Sequence, residues 1–169
     1  QDVQAEAYDY PESFLDKRVW SVRRPRPDRN ELSAAVAALQ SAKKPLVIAG
    51  GGVIFSQASK ELADFVEAAG IPVCETQGGK SSLPVSHPLN MAGVRVTGTS
   101  AANRLAQEAD VIIAVGTRLQ DFTTGSWSLF QNSAKTFIGL NVQTFDAAKH
   151  RALPLVADAK EGLLELTAA

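Results

Sequence analysis

The sequence predicts an α/β domain built on a doubly wound parallel sheet of about six strands, with helices on both faces. Two observations lead to this prediction. Short, continuously apolar runs recur along the chain, and amphipathic segments with helical spacing separate them. Such runs are typical of strands that are buried on both faces, and right-handed crossovers between parallel strands place helices over each side of the sheet.

The predicted strands are the apolar runs themselves. They lie at residues 46–49, 71–74, 111–115, 136–142 and 153–156. The run VIIAV at 111–115 is the clearest of them and ends at Gly116. Residues 75–98 form a long connection rich in Gly, Ser and Pro, and a connection of this length is usually functional.

The predicted helices have recognisable ends. Pro45 closes the first helix and Gly70 the second, while a short helix is expected around residues 146–150. The expected N-terminal caps are Asp28 with Glu31 as a capping box, Ser56, Thr99 or Ser100, and Asp158 with Glu161.

Residues 1–27, called the lead-in below, show no sustained hydrophobic period and contain Pro11, Pro25 and Pro27. They are expected to form an extended segment that arrives from elsewhere in a longer protein, and residues 28–169 are expected to form one domain. A basic cluster spans the end of the lead-in and the start of the next segment, and it is predicted to be a solvated linker rather than an anion site; its members are Arg23, Arg24, Arg26 and Arg29.

Composition excludes several classes of function. The formal net charge is −1, with basic residues spread along the chain, so we expect no nucleic-acid binding. Cys74 is the lone cysteine, which rules out an intramolecular disulfide and fits a reducing cytoplasm. No apolar run approaches the ~20 residues that cross a bilayer, so we expect no membrane contact.

Three segments fall where predicted strands end: residues 50–52, 116–118 and 140–143. Ligands of a doubly wound sheet bind beyond the carboxyl ends of its strands, so a Rossmann-like nucleotide site is expected here. The candidate cofactor-binding residues are Gly50, Gly51, Gly52, Gly116, Thr117, Arg118, Asn141 and Val142. The alternative, that the glycines only permit tight turns, stays open.

A less favoured hypothesis for the same region is the cofactor site of an ordinary NAD dehydrogenase. Gly50 and Gly52 match the first two glycines of the dinucleotide fingerprint, and Glu75 lies where a ribose-binding acid would fall. The third glycine is replaced by Phe55, whose bulk is expected to oppose close packing of the helix on the strand.

No catalytic or metal-binding residue is predicted. No carboxylate pair, nucleophile–base pair or metal-ligand spacing can be assigned from the sequence. His87 and His150 are expected to be structural or solvated, Cys74 a packing residue, and Trp20 and Trp127 core or interface anchors.

The ordered segments together resemble the central domain of thiamine-diphosphate enzymes such as acetolactate synthase, pyruvate oxidase and benzoylformate decarboxylase. The resemblance covers nearly the whole chain. It is carried by KKPLVIAGGGV (43–53), AAGIPV (68–73), GGKSSLPVSHPLNMAG (78–93), TGTSAAN (97–103), EADVIIAVGTRLQDFTTG (108–125), LNVQTFDAAKH (140–150) and LVADA (155–159).

Within that family, four segments are most similar to the ring-opening hydrolases of myo-inositol catabolism. They are QDVQAEAYDYP, GIPVCETQGGK, VGTRLQDFTTGSWSLF and LNVQTFDAAKH. This similarity implies a parent enzyme that hydrolyses a carbon–carbon bond of trihydroxycyclohexane-1,2-dione, yielding 5-deoxyglucuronate, with thiamine diphosphate and Mg²⁺.

The resemblance also implies that this chain alone is inactive. In such enzymes a glutamate of the pyrimidine-binding domain and a Gly-Asp-Gly motif of the diphosphate-binding domain serve the cofactor, and this sequence has no Gly-Asp-Gly triplet. The first residues resemble an exit from the preceding pyrimidine-binding domain, so the resemblance implies that residues 1–27 are the linker from that domain and residues 28–169 the central nucleotide-fold domain. The expected partners are therefore those two domains of the same parent chain, which we expect to form a homo-oligomer.

Some relatives bind FAD or ADP in this domain through the three strand-end segments. Here the acidic pattern after the fourth strand is replaced by Asn141 and Gln143, and Gln120 and Phe122 stand where charged residues would follow Arg118. The resemblance therefore favours a structural or vestigial cleft. A binding module for FAD or ADP remains the alternative.

Overall fold

The computed structural model describes residues 1–95 and 98–169. Its strands are β1 (Pro45–Ala49), β2 (Val73–Glu75), β3 (Asn90–Gly93), β4 (Val111–Val115), β5 (Thr136–Asn141) and β6 (Leu153–Val156). Its α-helices are α1 (Asp2–Ala5), α2 (Arg29–Ser41), α3 (Gly51–Phe55), α4 (Ser59–Ala69), α5 (Ser100–Glu108), α6 (Asp121–Thr124), α7 (Thr144–Ala148) and α8 (Ala159–Ala168). Thr97, which begins the TGTSAAN segment, lies outside the described residues.

All six strands form one parallel sheet in the order β3-β2-β1-β4-β5-β6. The central pair is fully in register, from Pro45 opposite Val111 to Ala49 opposite Val115. The predicted doubly wound sheet is confirmed. The chain runs outward from β1 in one direction and from β4 in the other, so the strand order reverses between these two strands.

Alternate residues of the central strands supply two separate cores. Val47 and Ala49 face a core that also contains apolar side chains of α2, α4 and α8. Leu46 and Ile48 face the opposite core, which is completed by α5 and by Leu129, Phe130 and Phe137. Both faces of the sheet are therefore covered, as the continuously apolar strands predict.

Several predicted helix ends are confirmed. The Asp28 side chain accepts hydrogen bonds from the amides of Asn30 (2.8 Å) and Glu31 (3.4 Å). The Thr99 hydroxyl accepts from the Ala102 amide at 3.1 Å, so Thr99 rather than Ser100 caps α5. Gly70 ends α4 in the left-handed conformation, with φ of 66°.

Half of the predicted capping box is wrong. The Glu31 carboxylate does not return to the start of its own helix; its Oε2 accepts from the backbone amide of Val156 at 2.8 Å. This bond ties α2 to the edge strand β6. A tertiary partner has replaced the local one, which three-residue spacing alone does not reveal.

Ser56 is not the predicted cap. The segment after β1 is two helices rather than one, and α4 begins after Ala58 without a side-chain cap. Ser56 is buried between the two and donates through Oγ to Asp158 Oδ2 at 2.8 Å. The sequence pattern also failed to predict β3 and α6, which are four residues each.

The lead-in is anchored to the domain near its end. Residues 1–23 are all exposed. Arg24 then donates through Nη1 to both carboxylate oxygens of Asp158 (3.0 and 3.1 Å) and to the backbone oxygen of Ser56 (2.8 Å). The Asp158 amide donates to the Pro25 oxygen at 2.9 Å. The prediction that the basic cluster is solvated is therefore wrong for Arg24, whose guanidinium is part-buried and paired with Asp158.

Candidate functional site

A cleft of about 490 Å³ opens at the carboxyl ends of β1 and β4, where the strand order reverses. This is the position at which doubly wound sheets bind their ligands. Six of the eight predicted site residues line this cleft: Gly51, Gly52, Gly116, Thr117, Arg118 and Asn141. The sequence pattern and the geometry thus indicate the same edge of the sheet.

The floor of the cleft is a direct backbone contact between Gly52 and Gly116. A Cβ added to Gly52 would lie 2.5 Å from the Gly116 Cα, well inside van der Waals contact. Gly116 has φ of +59°, a conformation that side-chain-bearing residues rarely adopt. Only glycine at both positions lets the turn after β4 rest on α3.

The remaining two predicted residues lie elsewhere. A Cβ on Gly50 would fall 2.5 Å from the Gly116 oxygen, so Gly50 packs behind the floor rather than lining the cleft. Val142 lines a neighbouring cavity of about 590 Å³, bounded on one side by lead-in residues 22–25. The two hollows share Gly52, Gly116, Phe55 and Asn141, and so form adjacent parts of one edge.

Three amides of the glycine segment and its helix already have partners inside the protein. Gly50 donates to the Val115 oxygen at 2.8 Å, Gly52 to the Gly116 oxygen at 3.0 Å, and Val53 to the Gly50 oxygen at 3.1 Å. A phosphate cradle needs such amides to point at the ligand. In this structure they hold the turn together instead.

Asn141 is likewise engaged in the fold. Its Oδ1 accepts from the Gln143 amide at 3.0 Å, and its Nδ2 donates to the Thr117 oxygen at 3.4 Å. The side chain therefore joins the turn after β5 to the turn after β4. Both ends of its side-chain amide are hydrogen-bonded within the fold and do not point at a ligand hydroxyl.

The charged groups of the cleft are Arg95, Arg118 and Asp146. Arg95 Nη1 donates to Gln77 Oε1 at 3.0 Å. The Arg118 guanidinium is exposed, and within residues 1–95 and 98–169 it has no ion pair or hydrogen bond. Two aromatic side chains, Phe55 and Phe122, are also exposed at the cleft.

Sequence reasoning missed the contribution of the turn after β2. Thr76, Gln77 and Arg95 line the cleft together with Asp146 of α7. Thr76 and Gln77 lie two and three residues after the strand predicted at 71–74, so the same strand-end rule that identified the other three segments could have found them. Arg95 lies beyond β3, which the sequence did not predict, and so gave no such signal.

The hypothesis of an NAD-binding dinucleotide site is disfavoured by Glu75 and not by the expected effect of Phe55 on packing. Phe55 does not oppose helix–strand packing, because its side chain is 87% exposed at the end of α3. Glu75 is buried, and its carboxylate accepts from the amides of Ser81 (3.3 Å) and Leu83 (3.1 Å). This acid therefore shapes the loop after β2 and does not face the cleft.

The two histidines and the cysteine have structural surroundings. His87 Nε2 lies 3.0 Å from Glu67 Oε1, and its Nδ1 accepts from the Leu89 amide at 3.2 Å. His150 packs edge-on against Trp127 with ring centroids 4.2 Å apart. Burial, followed by the nearby charge of Lys149, lowers the pKa of His150. Burial also raises the pKa of the Cys74 thiol to about 12.

The described part of the chain lacks both a cluster of metal ligands and a membrane-spanning helix. Residues 1–95 and 98–169 contain no group of three or more His, Cys, Asp or Glu side chains that could hold a metal ion. In the same residues, every helix is too short or too polar to cross a membrane.

The family model described as thiamine pyrophosphate enzyme, central domain, matches residues 32–166. Two curated relatives carry the name 3D-(3,5/4)-trihydroxycyclohexane-1,2-dione hydrolase. The one from Clostridium perfringens is 49% identical over 168 residues, which is 99% of this chain and 26% of the relative. The one from Bacillus thuringiensis is 49% identical over 166 residues, again 26% of its length.

A solved structure shows the same fold. Benzoylformate decarboxylase from Polynucleobacter necessarius aligns with a TM-score of 0.71 over 95% of this chain and 30% of its own, at 22% sequence identity. The chain therefore spans about a quarter of the length of the curated relatives that it matches.

Proposed function

Because the chain belongs to the family of thiamine pyrophosphate enzyme central domains, we propose that it is the central, structural domain of a longer thiamine-diphosphate enzyme. Its role there is to hold the pyrimidine-binding and diphosphate-binding domains in their relative positions. The observation that carries this proposal is that the amides of Gly50, Gly52 and Gly116 donate to backbone carbonyl oxygens of neighbouring turns and strands, at 2.8, 3.0 and 2.8 Å, and so hold the turns together.

The residues of this chain do not fit thiamine diphosphate or its metal ion. The sequence has no Gly-Asp-Gly triplet, and the described residues hold no cluster of metal ligands. The buried acid at the end of β2, Glu75, is committed to two loop amides. The cofactor and Mg²⁺ are therefore assigned to the other domains of the parent, and no chemical step is assigned to this one.

The proposed reaction of the parent is the hydrolytic opening of trihydroxycyclohexane-1,2-dione to 5-deoxyglucuronate in the cytoplasm, by a homo-oligomer. Support comes from the curated relatives of that name, which are 49% identical over 98–99% of this chain. The identity extends over the whole domain and the lead-in, whereas the family model alone begins at residue 32.

Calorimetry distinguishes a structural domain from a cofactor-binding one. Thiamine diphosphate with Mg²⁺ is titrated into this chain and, as the positive control, into the full-length parent. We expect heat of binding for the parent and none for the chain, with circular dichroism showing that the chain is folded. Saturable binding to the chain would overturn the proposal.

A second candidate function is binding of FAD or ADP in the cleft. It is favoured by the exposed guanidinium of Arg118 beside two exposed aromatic rings, at the switch point of the sheet. A ligand present at ~100 times its Kd stabilises a folded protein by about 2.7 kcal/mol, which melting experiments detect readily.

Nucleotide binding is tested by measuring the melting temperature of the unmodified chain and of the Arg118→Gln variant, each with and without ADP or FAD. Arg104→Gln is the matched control, since Arg104 pairs with Glu108 at the opposite end of the sheet, where Glu108 also pairs with Lys44. A rise in melting temperature that Arg118→Gln abolishes and Arg104→Gln retains would support this function. No rise with either nucleotide would leave the cleft purely structural.

A further inference from the structure

The first part of the lead-in presents aromatic side chains to solvent. Tyr8, Tyr10 and Phe14, called the aromatic cluster here, are 75%, 66% and 61% exposed. Tyr8 and Tyr10 meet edge-to-face at 6.0 Å, and Tyr10 stacks on Phe14 at 4.9 Å. Contiguous exposed apolar surface of this kind marks an interaction site in soluble proteins.

The aromatic cluster is shaped by local contacts, and among the described residues no hydrogen bond, ion pair or ring contact joins it to the sheet domain. A 3-10 turn at Glu12–Phe14 brings Phe14 beneath Tyr10, and the Arg18 side chain donates to the Ser13 oxygen at 3.3 Å. Among the described residues, the recorded ring contacts of the cluster are with one another. Its outer faces are therefore free to meet a second surface.

Charge is strongly segregated along the lead-in. Residues 1–16 contain five acids, Asp2, Glu6, Asp9, Glu12 and Asp16, and no Lys or Arg. The basic residues of the lead-in all follow, from Lys17 to Arg26. A surface complementary to residues 1–16 must therefore be apolar at its centre and basic around it. The same negative charge disfavours an anionic lipid surface.

The comparisons indicate where this surface belongs. The curated relatives match 99% of this chain and so include the lead-in, although the family model starts only at residue 32. These relatives are about four times as long as the chain, which is 26% of their length. A surface in the same polypeptide meets the lead-in at high effective concentration, which favours it over a separate protein.

We propose that residues 1–16 dock through the aromatic cluster onto another domain of the parent protein, at an apolar surface ringed by Lys and Arg. The inference rests on the proposed function only in that the chain works inside a longer protein. Because Arg24 and Pro25 are fixed to Asp158, docking of residues 1–16 clamps the sheet domain to that second domain.

Hydrogen exchange tests the docking. Amides of residues 6–16 are compared between the chain alone and the full-length parent. Docking slows their exchange ~10-fold or more in the parent, because exchange then requires undocking. The triple variant Tyr8→Ser, Tyr10→Ser, Phe14→Ser removes this protection, and the control Val85→Ser, at an 88% exposed loop position, retains it. Equal exchange in both proteins would overturn the proposal.

Cross-linking identifies the partner surface. A photoreactive benzoylphenylalanine replaces Tyr10 in the full-length parent, and Val85 in a control. Cross-links from position 10 to Lys- or Arg-flanked peptides outside residues 1–169 support the proposal; cross-links only to residues 1–169 of a second copy overturn it. A parent that binds thiamine diphosphate yet leaves residues 6–16 unprotected would refute this inference alone, and the proposed function would stand.

Discussion

Replacing Gly52 by alanine tests whether the glycine contact at the cleft floor is a structural requirement. The new Cβ would lie 2.5 Å from the Gly116 Cα and 3.0 Å from the Gly116 oxygen. Gly116 cannot retreat freely, since its amide donates to the Leu140 oxygen at 2.8 Å and its oxygen accepts from the Gly52 amide at 3.0 Å. The two turns must therefore separate by about 1 Å to restore ordinary contact between carbon atoms.

The free-energy cost follows from three contributions. Overpacking in a closely packed region costs roughly 2 kcal/mol. Loss of the Gly52–Gly116 hydrogen bond costs about 1 kcal/mol. Alanine in a helical position regains up to about 1 kcal/mol over glycine. The expected net loss in the free energy of unfolding is therefore about 2 kcal/mol.

Urea denaturation followed by circular dichroism measures this loss. With m-values of roughly 1–3 kcal/mol/M, the midpoint should fall by about 1 M. Gly78→Ala is the matched control in the same cleft, because its Cβ would meet nothing closer than the Gly51 nitrogen at 3.7 Å. A Gly52→Ala variant that unfolds within about 0.5 kcal/mol of Gly78→Ala would refute the reasoning.

Three further outcomes are expected. Asp158→Ala should lower the free energy of unfolding by about 2 kcal/mol, because Asp158 caps α8 and accepts hydrogen bonds from Arg24 and Ser56. The control is Asp64→Ala, which breaks only the exposed ion pair with Lys60 and should cost under about 0.5 kcal/mol; equal losses in the two variants would contradict this. The pKa of His150 is lower in the folded protein than its ordinary 6.5, so the unfolded chain binds the proton more readily; stability should fall as the pH drops through 6.5, and His150→Gln should flatten that fall in pH-dependent urea titrations, whereas an unchanged slope would exclude His150 as its source. Because burial raises the pKa of Cys74 to about 12, a thiol reagent such as Ellman's should label the native chain at pH 8 only on the timescale of unfolding; rapid labelling would show that the thiol is accessible.

The sequence predicted the sheet well because its central strands carry their own signal. Val111–Val115 is buried at every position, so an uninterrupted apolar run was sufficient to locate it. Strand β3 has no such signal, since Asn90–Gly93 is a half-exposed edge strand with irregular pairing to β2. Its position depends on the loop that Glu75 organises, and no local pattern encodes that.

Side chains with tertiary partners were the least predictable. Asp28 and Thr99 act within their own helices, and their spacing was enough to identify them. Glu31 and Ser56 satisfy the same local pattern but bond to Val156 and Asp158, more than 100 residues away in the sequence. The same distinction holds for the candidate site. Residues at the ends of strands were predictable from the sequence, whereas Arg95 reaches the cleft only through the fold of a long loop.

The bond between Glu31 and the Val156 amide also bears on self-association. Strand β6 lies at one edge of the sheet, and exposed edges can recruit strands from other molecules and start aggregates. The outward-facing donors of β6 alternate, and the position two residues before Val156 is Pro154, which has no amide hydrogen. With one donor missing and the next occupied by Glu31, these positions leave an incoming strand no free amide to pair with, and Glu31→Ala is the change that would free the Val156 amide.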